Sequence, residues 1–283
     1  MPAVDFVGSV NLVLALFDES IRQFRRGRIW LLLLGYFFLL WLVLQVHYRF
    51  YSPTLFSLIE IWIRQFDSSQ ATAFTHYPDH LVQLPYFFGW ARTLLSIPFE
   101  GGVLAIVSVL FYRSYLGRGF DGVASAKQFL SVWLQVTVAW AVLNGLLLIV
   151  SDWLPKVFEA GLKEAALRAL VFRYMFQPFL YLLIYSLFFF TIPYIAINRS
   201  SAFRGIGESV RIFWRNPITC YFLGAAVFVP AVIVTVATHN AGALIERFGP
   251  EAAYWVLVIG LGIGLVTNFF WTAVATRFLI DLE

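Results

Sequence analysis

The stretch Ile97-Pro98-Phe99-Glu100-Gly101-Gly102 places one carboxyl group inside a long apolar segment. A carboxyl group in hydrocarbon is so costly that an acidic residue there is a functional candidate by default. Proline removes a backbone donor and glycine weakens a helix, so the neighbours of Glu100 favour a loosened helix of the kind that lines transporter sites. The chemistry that this pattern predicts is the binding of a substrate or a lipid to the Glu100 carboxyl group.

The simpler interpretation of Glu100 is an internal one, in which its carboxyl group is protonated or pairs with a basic residue such as Arg92. Asn144, Gln177 and Asn268 are further polar residues within apolar segments. Amide side chains in such positions either join neighbouring helices by hydrogen bonds or contact a ligand, and the first role is the more common one. The candidate substrate-binding or lipid-binding residues are therefore Glu100, Arg92, Asn144 and Gln177.

Other catalytic or metal-binding patterns are weak in this sequence. His76 and His80 have the i, i+4 spacing of two metal ligands on a helix, but Pro78 between them opposes a regular helix and no third ligand is near in sequence. The one cysteine, Cys220, excludes a cysteine-built metal site. The sequence has no Ser/His/Asp arrangement, Walker lysine or HExxH motif, which disfavours an ATPase or a zinc protease. We expect no metal, no cofactor and no enzymatic activity.

The elements that carry these residues must be membrane-spanning helices. Of the 283 residues, 60% are hydrophobic and 13% are charged, whereas soluble domains average about half and about a quarter. Six apolar segments have the roughly 20 residues that a helix needs to cross a hydrocarbon core about 30 Å thick. They lie at about 29–48, 86–112, 130–150, 174–197, 217–238 and 253–279. The sequence therefore predicts an all-α polytopic membrane protein with a single integral membrane domain over residues 1–283.

The distribution of Lys and Arg predicts which side of the membrane each loop occupies. With six spans both termini lie on one side, and 12 of the 20 basic residues fall on that side, many of them within a turn or two of a span. Positive charge next to spans marks the cytoplasmic side, so we expect both termini in the cytoplasm. The net charge of +4 comes from residues that flank spans, which favours anionic lipid headgroups over nucleic acid as a partner.

A repeated octet divides the chain into similar units. Glu19-Ser20-Ile21-Arg22-Gln23-Phe24-Arg25-Arg26 returns as Glu208-Ser209-Val210-Arg211-Ile212-Phe213-Trp214-Arg215, and each copy runs into an apolar span. A weaker third copy lies at 113–126, before the third span. Three copies, each leading into an odd-numbered span, predict that the six spans form three hairpin-like repeats.

Both octets lie in segments with the pattern of an interfacial amphipathic helix, at about 5–27 and at 203–215. In the second segment the predicted apolar face is Phe203, Ile206, Val210 and Phe213, opposite Arg204, Glu208, Arg211 and Arg215. Segments 55–66 and 156–170 have a similar pattern on the other side of the membrane. Such helices either only anchor the chain or dock a partner. The candidate membrane-surface or partner-docking residues are Arg22, Arg26, Arg204, Arg211 and Arg215.

Aromatic residues make up 19% of the chain, and its 30 Phe residues exceed what aromatic belts at the membrane interfaces require. The run Phe188-Phe189-Phe190 lies inside the fourth span. We expect this run to face lipid, acyl chains or a partner subunit. The aromatic surface thus favours membrane lipids and other membrane proteins as partners.

The sequence Glu208-Ser209-Val210-Arg211-Ile212-Phe213-Trp214-Arg215-Asn216-Pro217, with Asn198-Arg199-Ser200 at the end of the preceding span, resembles a group of bacterial six-helix integral membrane proteins. Some members are the membrane domain of glycerophosphodiester phosphodiesterases, although no phosphodiesterase domain is present in this sequence. The resemblance covers the general layout and these two junctions. It implies a location in the bacterial inner membrane and supplies no catalytic residue.

These features together favour a protein that acts by binding. The leading hypothesis is a non-enzymatic accessory or scaffold subunit of a larger membrane complex, with lipids held between its hairpins. The alternative is a permease subunit for a lipid or a small hydrophobic substrate, with Glu100 at a broken helix. An intramembrane enzyme is the third hypothesis.

Overall fold

The computed structural model describes residues 6–25, 27–49, 79–119, 122–161 and 172–282. All regular secondary structure within these ranges is helical. Six helical segments are long and apolar enough to cross a membrane: Ile29–Tyr48, His80–Tyr115, Ser125–Val157, Gln177–Asn198, Pro217–Thr238 and Ala252–Leu282. The prediction of an all-helical chain with six candidate spans is confirmed.

The described residues form α-helices and a few wider π-helical turns. In chain order the α-helices are α1 (Phe6–Gln23), α2 (Gly27–Tyr48), α3 (Asp79–Leu95), α4 (Gly101–Tyr115), α5 (Gly122–Leu148), α6 (Leu154–Gly161), α7 (Gln177–Phe188), α8 (Thr191–Asn198), α9 (Ala202–Arg215), α10 (Pro217–His239), α11 (Ala241–Phe248) and α12 (Ala252–Leu282). Wider π-helical turns occupy Ser96–Glu100, Ile149–Trp153 and Phe172–Phe176. The first two join an α-helix on each side, and Phe172–Phe176 runs directly into α7.

The chain divides into two compact units. The first comprises the described parts of Met1–Trp30, Ile97–Phe228 and Asn268–Glu283, and the second those of Leu31–Ser96 and Val229–Thr267. The interior of the first unit is aromatic, because Phe111 and Phe269 are fully buried and meet edge to face with ring centroids 5.2 Å apart. Trp30 stacks on Phe269 at 4.5 Å.

The run Phe188-Phe189-Phe190 is buried inside the first unit, so the expectation that it faces lipid or a partner is wrong. Phe190 stacks on Phe278 with centroids 5.0 Å apart, and Phe189 lies 6.1 Å from Trp271. Both partners belong to α12. The backbone turns between α7 and α8 at this point, and the turn directs these rings inward to the unit's own helices.

The second unit is held by close helix contacts and a polar cluster. A Cβ at Gly260 would lie 2.6 Å from Val234 Cγ1, and one at Gly264 would lie 3.1 Å from Phe37 Cε1. These two glycines therefore let α12 approach its neighbours closely. Near the start of α12, Tyr254 accepts a hydrogen bond from Gln45, and its ring lies 4.3 Å from that of Tyr48.

The second octet forms the second half of α9, whereas only the first five residues of the first octet lie in α1, followed by a turn at Phe24 and Arg25. Each helix leads within a few residues into a candidate span. The weak third copy differs, because from Gly122 onward it belongs to the same continuous helix, α5, as the third span. Residues 120–121 of that copy lie outside the described ranges, as do the predicted helix at 55–66 and residues 162–170 of the one at 156–170. The part of that second helix that is described forms α6.

Candidate functional site

Glu100 ends a π-helical turn, Ser96–Glu100, that joins α3 to α4. Proline has no N–H and cannot continue a regular α-helical hydrogen-bond ladder. The chain accommodates Pro98 by widening one turn, and the indole Nε1 of Trp133 donates to the Pro98 carbonyl oxygen at 3.3 Å. The predicted loosening at Glu100 is therefore a widened turn. It is a discontinuity in the α-helical hydrogen-bond pattern, although the helical segment His80–Tyr115 continues through it. Such π-turns are frequent at functional sites.

The two glycines after Glu100 serve close packing. A Cβ at Gly101 would lie 3.1 Å from the Cβ and Cγ atoms of Trp140, and one at Gly102 would lie 2.9 Å from Phe129 Cζ. Trp140 and Phe129 both belong to α5. Because these two glycines have no side chains, α5 packs directly against the α4 backbone beside the Glu100 carboxyl group.

The Glu100 side chain is 8% exposed and accepts a hydrogen bond from Asn268 Nδ2, 2.8 Å from Glu100 Oε1. Asn268 is equally buried and belongs to α12. The hydroxyl of Thr272, one turn further along α12, donates to the Asn268 carbonyl oxygen at 2.5 Å. A buried carboxyl needs such a partner. The amide therefore ties α12 to the π-turn.

The other predicted binding residues do not gather around Glu100 in this way. Asn144 Nδ2 donates to the Trp140 carbonyl within its own helix at 2.9 Å, and Gln177 Nε2 donates to the Val150 carbonyl at 3.2 Å. Arg92 belongs to the second unit, whereas Glu100 belongs to the first. The ligand-binding role of all four residues stays a prediction. Within the described residues no group of three His, Cys, Asp or Glu is arranged to hold a metal ion.

A second discontinuity interrupts the fourth candidate span between α7 and α8, at Phe189 and Phe190. Pro193 lies in the first turn of α8 and has no N–H for the carbonyl of Phe189, four residues earlier. Trp271 of α12 replaces that donor, because its Nε1 lies 2.9 Å from the Phe189 oxygen. The interruption is thus closed on one side by an indole from α12.

Ser209, the serine of the second octet, closes the other side of the interruption. Its hydroxyl donates to the Leu187 carbonyl at 2.6 Å and accepts from the Phe190 N–H at 3.2 Å. Gly205, one turn earlier on α9, permits the approach, since a Cβ there would lie 2.3 Å from Ile195 Cγ1. Ser209 is fully buried. The sequence reasoning missed this role, although Pro193 within an apolar span was a signal for the interruption.

The two octets use their serines differently. Ser20 is also fully buried, but its hydroxyl donates to the Leu16 carbonyl of its own helix at 2.7 Å. Ser209 bonds another helix instead. The neighbouring glutamates differ too, because Glu19 forms an ion pair with Arg277 of α12 at 3.3 Å, whereas Glu208 pairs with Arg211 of its own helix at 3.5 Å. The serines of the two octets are thus equally buried, but their contacts and those of the glutamates differ.

The two discontinuities are joined through one face of α12. Asn268 bonds Glu100 at the first, and Trp271, one turn later, bonds Phe189 at the second. Trp271 also stacks on Trp140, with centroids 5.6 Å apart. Among the described residues, Trp140 Nε1 and Thr191 Oγ1 are buried without a hydrogen-bond partner. This region therefore keeps two unused polar groups beside its closed contacts.

The basic residues of α9 are exposed, and the helix packs on the protein mainly through its small residues. Arg204, Arg211 and Arg215 are exposed, and so are the aromatic residues Phe203 (78%) and Trp214 (73%). The buried face is Ala202, Gly205, Ser209, Ile212 and Phe213. Of the predicted apolar face only Phe213 belongs to this buried face, because small residues are needed where α9 approaches α8. The position of the predicted apolar face at the membrane surface stays a prediction. Arg22 of α1 is exposed beside Asp18, and Arg26 lies outside the described residues.

The Asn198-Arg199-Ser200 junction holds α9 in place. Arg199 ends α8 in the left-handed conformation with φ 50°, and Ser201 caps α9 by accepting from the Arg204 N–H at 3.4 Å. Two glutamines of α5 bond the flanking backbone. Gln128 donates to the Ala196 carbonyl at 2.7 Å, and Gln135 accepts from the Ala202 N–H at 3.0 Å. Comparisons with protein families, curated proteins and solved structures found no match.

Proposed function

We propose that this protein is a non-enzymatic accessory or scaffold subunit of a larger membrane complex in the bacterial inner membrane. The observation that carries this proposal is the closure of both helix discontinuities by the chain's own side chains. Asn268 donates a hydrogen bond to Glu100, while Trp271 and Ser209 donate hydrogen bonds to backbone carbonyls at the interruption in the fourth span. A permease would need to open a path at such places. Because both discontinuities are closed, we favour a protein that acts by binding partners on its outer surface.

The repeated organisation and the orientation belong to the same proposal. Both termini lie in the cytoplasm, and α1 and α9 lie on the cytoplasmic face as the interfacial helices of a three-hairpin plan. The exposure of Arg22, Arg204 and Arg211 supports this arrangement. So does the apolar surface of α1, where Leu14 and Ile21 are exposed. Basic residues above an apolar surface suit an interfacial position.

The partner packs against the outer face of α10. Val229, Ile233 and Val236 are all more than half exposed and fall at i, i+4 and i+7, which forms one apolar stripe along the helix. Stripes with this spacing accept another helix. Such a face is suited to a spanning helix of another membrane protein.

The test is co-purification of the tagged full chain, produced at its native level, from membranes dissolved in mild detergent. Wild type retains a second membrane protein in fixed ratio, and Val229→Trp with Ile233→Trp loses it because the bulky rings block the stripe. Leu130→Trp with Leu134→Trp is the matched control, since these α5 residues are as exposed and have the same spacing. Wild type that elutes without any partner would contradict the proposal.

A permease subunit for a lipid or small hydrophobic substrate is the second candidate. It is favoured by the carboxyl group on a π-turn and by the unused Trp140 and Thr191 groups near a broken span. In this case α1 and α9 would couple the chain to a separate ATPase. Glu100→Gln should then abolish movement of a fluorescent phospholipid analogue in proteoliposomes containing the complex, at unchanged protein abundance. Unaltered movement would remove Glu100 from the substrate path.

A further inference from the structure

We propose that the outer face of α9 binds anionic phospholipid headgroups and that this binding holds the interruption of the fourth span closed. The outer face is defined by the exposed residues Phe203, Arg204, Arg211, Trp214 and Arg215. The proposal relies on the proposed function only for the position of α9 at the membrane surface. It adds a ligand class and a conformational consequence.

The charges of the outer face fit phosphate groups. Arg204, Arg211 and Arg215 fall at i, i+7 and i+11, so their guanidinium groups follow one side of the helix. Guanidinium groups recognise phosphate through paired N–H donors. Glu208 lies within 3.5 Å of Arg211 and offsets only part of this positive charge. The face therefore has net positive charge toward its surroundings.

The connections of α9 select a lipid surface as the occupant. α9 begins four residues after Asn198, the last residue of the fourth candidate span, and ends two residues before Pro217, the first of the fifth. Both ends are thus tied to the level at which spans leave the membrane. The exposed rings of Phe203 and Trp214 are of the kind that sits at the boundary between headgroups and acyl chains. A soluble acidic partner would not require these rings.

The inner face of the same helix closes the interruption. Ser209 satisfies both the Leu187 carbonyl and the Phe190 N–H, and it is fully buried. α9 is one unbroken helix of 14 residues, so its outer and inner faces belong to the same element. A displacement of its outer face from the headgroups withdraws Ser209, which leaves the Leu187 carbonyl without this donor and the Phe190 N–H open to exchange. Binding of anionic lipid to the outer face of α9 thus determines whether Ser209 stays hydrogen-bonded to the interrupted span.

The test uses the purified full chain in nanodiscs of phosphatidylcholine alone or with phosphatidylglycerol. Native mass spectrometry counts the retained phosphatidylglycerol, and hydrogen exchange follows a peptide that covers 187–194. The triple variant Arg204→Gln, Arg211→Gln, Arg215→Gln should retain phosphatidylglycerol roughly fivefold more weakly for each arginine removed. Its 187–194 amides should exchange faster, as should those of wild type in phosphatidylcholine alone.

Two further variants make the result specific. Arg49→Gln, Lys156→Gln, Arg247→Gln removes three exposed basic residues elsewhere and should leave the exchange of the 187–194 amides as in wild type, whatever phosphatidylglycerol it loses. Ser209→Ala should exchange fast in either lipid while phosphatidylglycerol is retained. If the α9 triple variant retains as much phosphatidylglycerol as wild type, the proposal is overturned. This holds even if the variant loses a bound protein, because α9 would then bind a protein instead of lipid. Lost retention with unchanged exchange overturns it as well, because the link is then absent. Neither outcome alters partner binding on α10, so the two proposals fail separately.

Discussion

Ser209→Ala lowers the free energy of unfolding in mixed micelles by about 2 to 4 kcal/mol, because each buried backbone group left without a partner costs about 1 to 3 kcal/mol. The hydroxyl serves the Leu187 carbonyl at 2.6 Å and the Phe190 N–H at 3.2 Å, and both groups belong to an interrupted span. Hydrocarbon offers no replacement donor or acceptor. Unfolding in sodium dodecyl sulfate, followed by circular dichroism, measures the change.

The duplicated octet supplies the control for this substitution. Ser20→Ala removes the same hydroxyl from a position that is equally buried, but the hydroxyl there bonds only the Leu16 carbonyl of its own helix. That carbonyl keeps its place in the helical ladder, so the expected loss is about 0.5 kcal/mol or less. Equal losses in the two variants would show that Ser209 does not close the interruption.

Asn268→Leu is expected to lower the free energy of unfolding by about 2 to 4 kcal/mol, because it leaves the buried Glu100 carboxyl group without the donor from α12. Leucine has nearly the shape of asparagine, so packing against α4 is preserved. The same unfolding assay in sodium dodecyl sulfate measures the loss. Asn144→Leu is the matched control, since that amide bonds only the Trp140 carbonyl of its own helix.

A double-mutant cycle separates the hydrogen bond from other effects of this substitution. Replacing both partners, with Glu100→Met and Asn268→Leu, removes the buried carboxyl group together with its donor. The double variant should therefore be more stable than Asn268→Leu alone. A double variant that loses the sum of the single losses would mean that the pair at 2.8 Å contributes no coupling.

The six spans could be predicted because each is a long run of apolar residues, and length and hydropathy suffice to identify such a run. The exposure of Arg204, Arg211 and Arg215 followed from the same reasoning, since an unpaired charge stays out of an apolar interior. The prediction of a loosened helix at Glu100 agrees with the π-helical turn that ends there. The form of this turn could not be predicted, because it is a π-turn whose Pro98 carbonyl accepts a hydrogen bond from Trp133, 35 positions after Pro98.

The contacts that close the two discontinuities could not be predicted from local patterns. Ser209 bonds a carbonyl 22 residues earlier in the chain, and Asn268 bonds a carboxyl 168 residues away. Helical periodicity identifies apolar positions, so it marked Phe203, which is exposed, and did not point to the small residues that pack on the protein. Gly205 and Ser209 are buried instead because only small side chains permit α9 to reach α8. Close packing thus overrode hydrophobicity in choosing the face.

The protein mass of the particle that mild detergent releases from native membranes tests the proposed subunit role most directly. Light scattering on the eluted particle, with subtraction of detergent, gives this mass, and mass spectrometry gives the composition. A subunit of a larger complex elutes well above the 32.3 kDa of one chain, together with a second polypeptide in fixed ratio. A particle of one chain, free of any other protein across several mild detergents, would contradict that role.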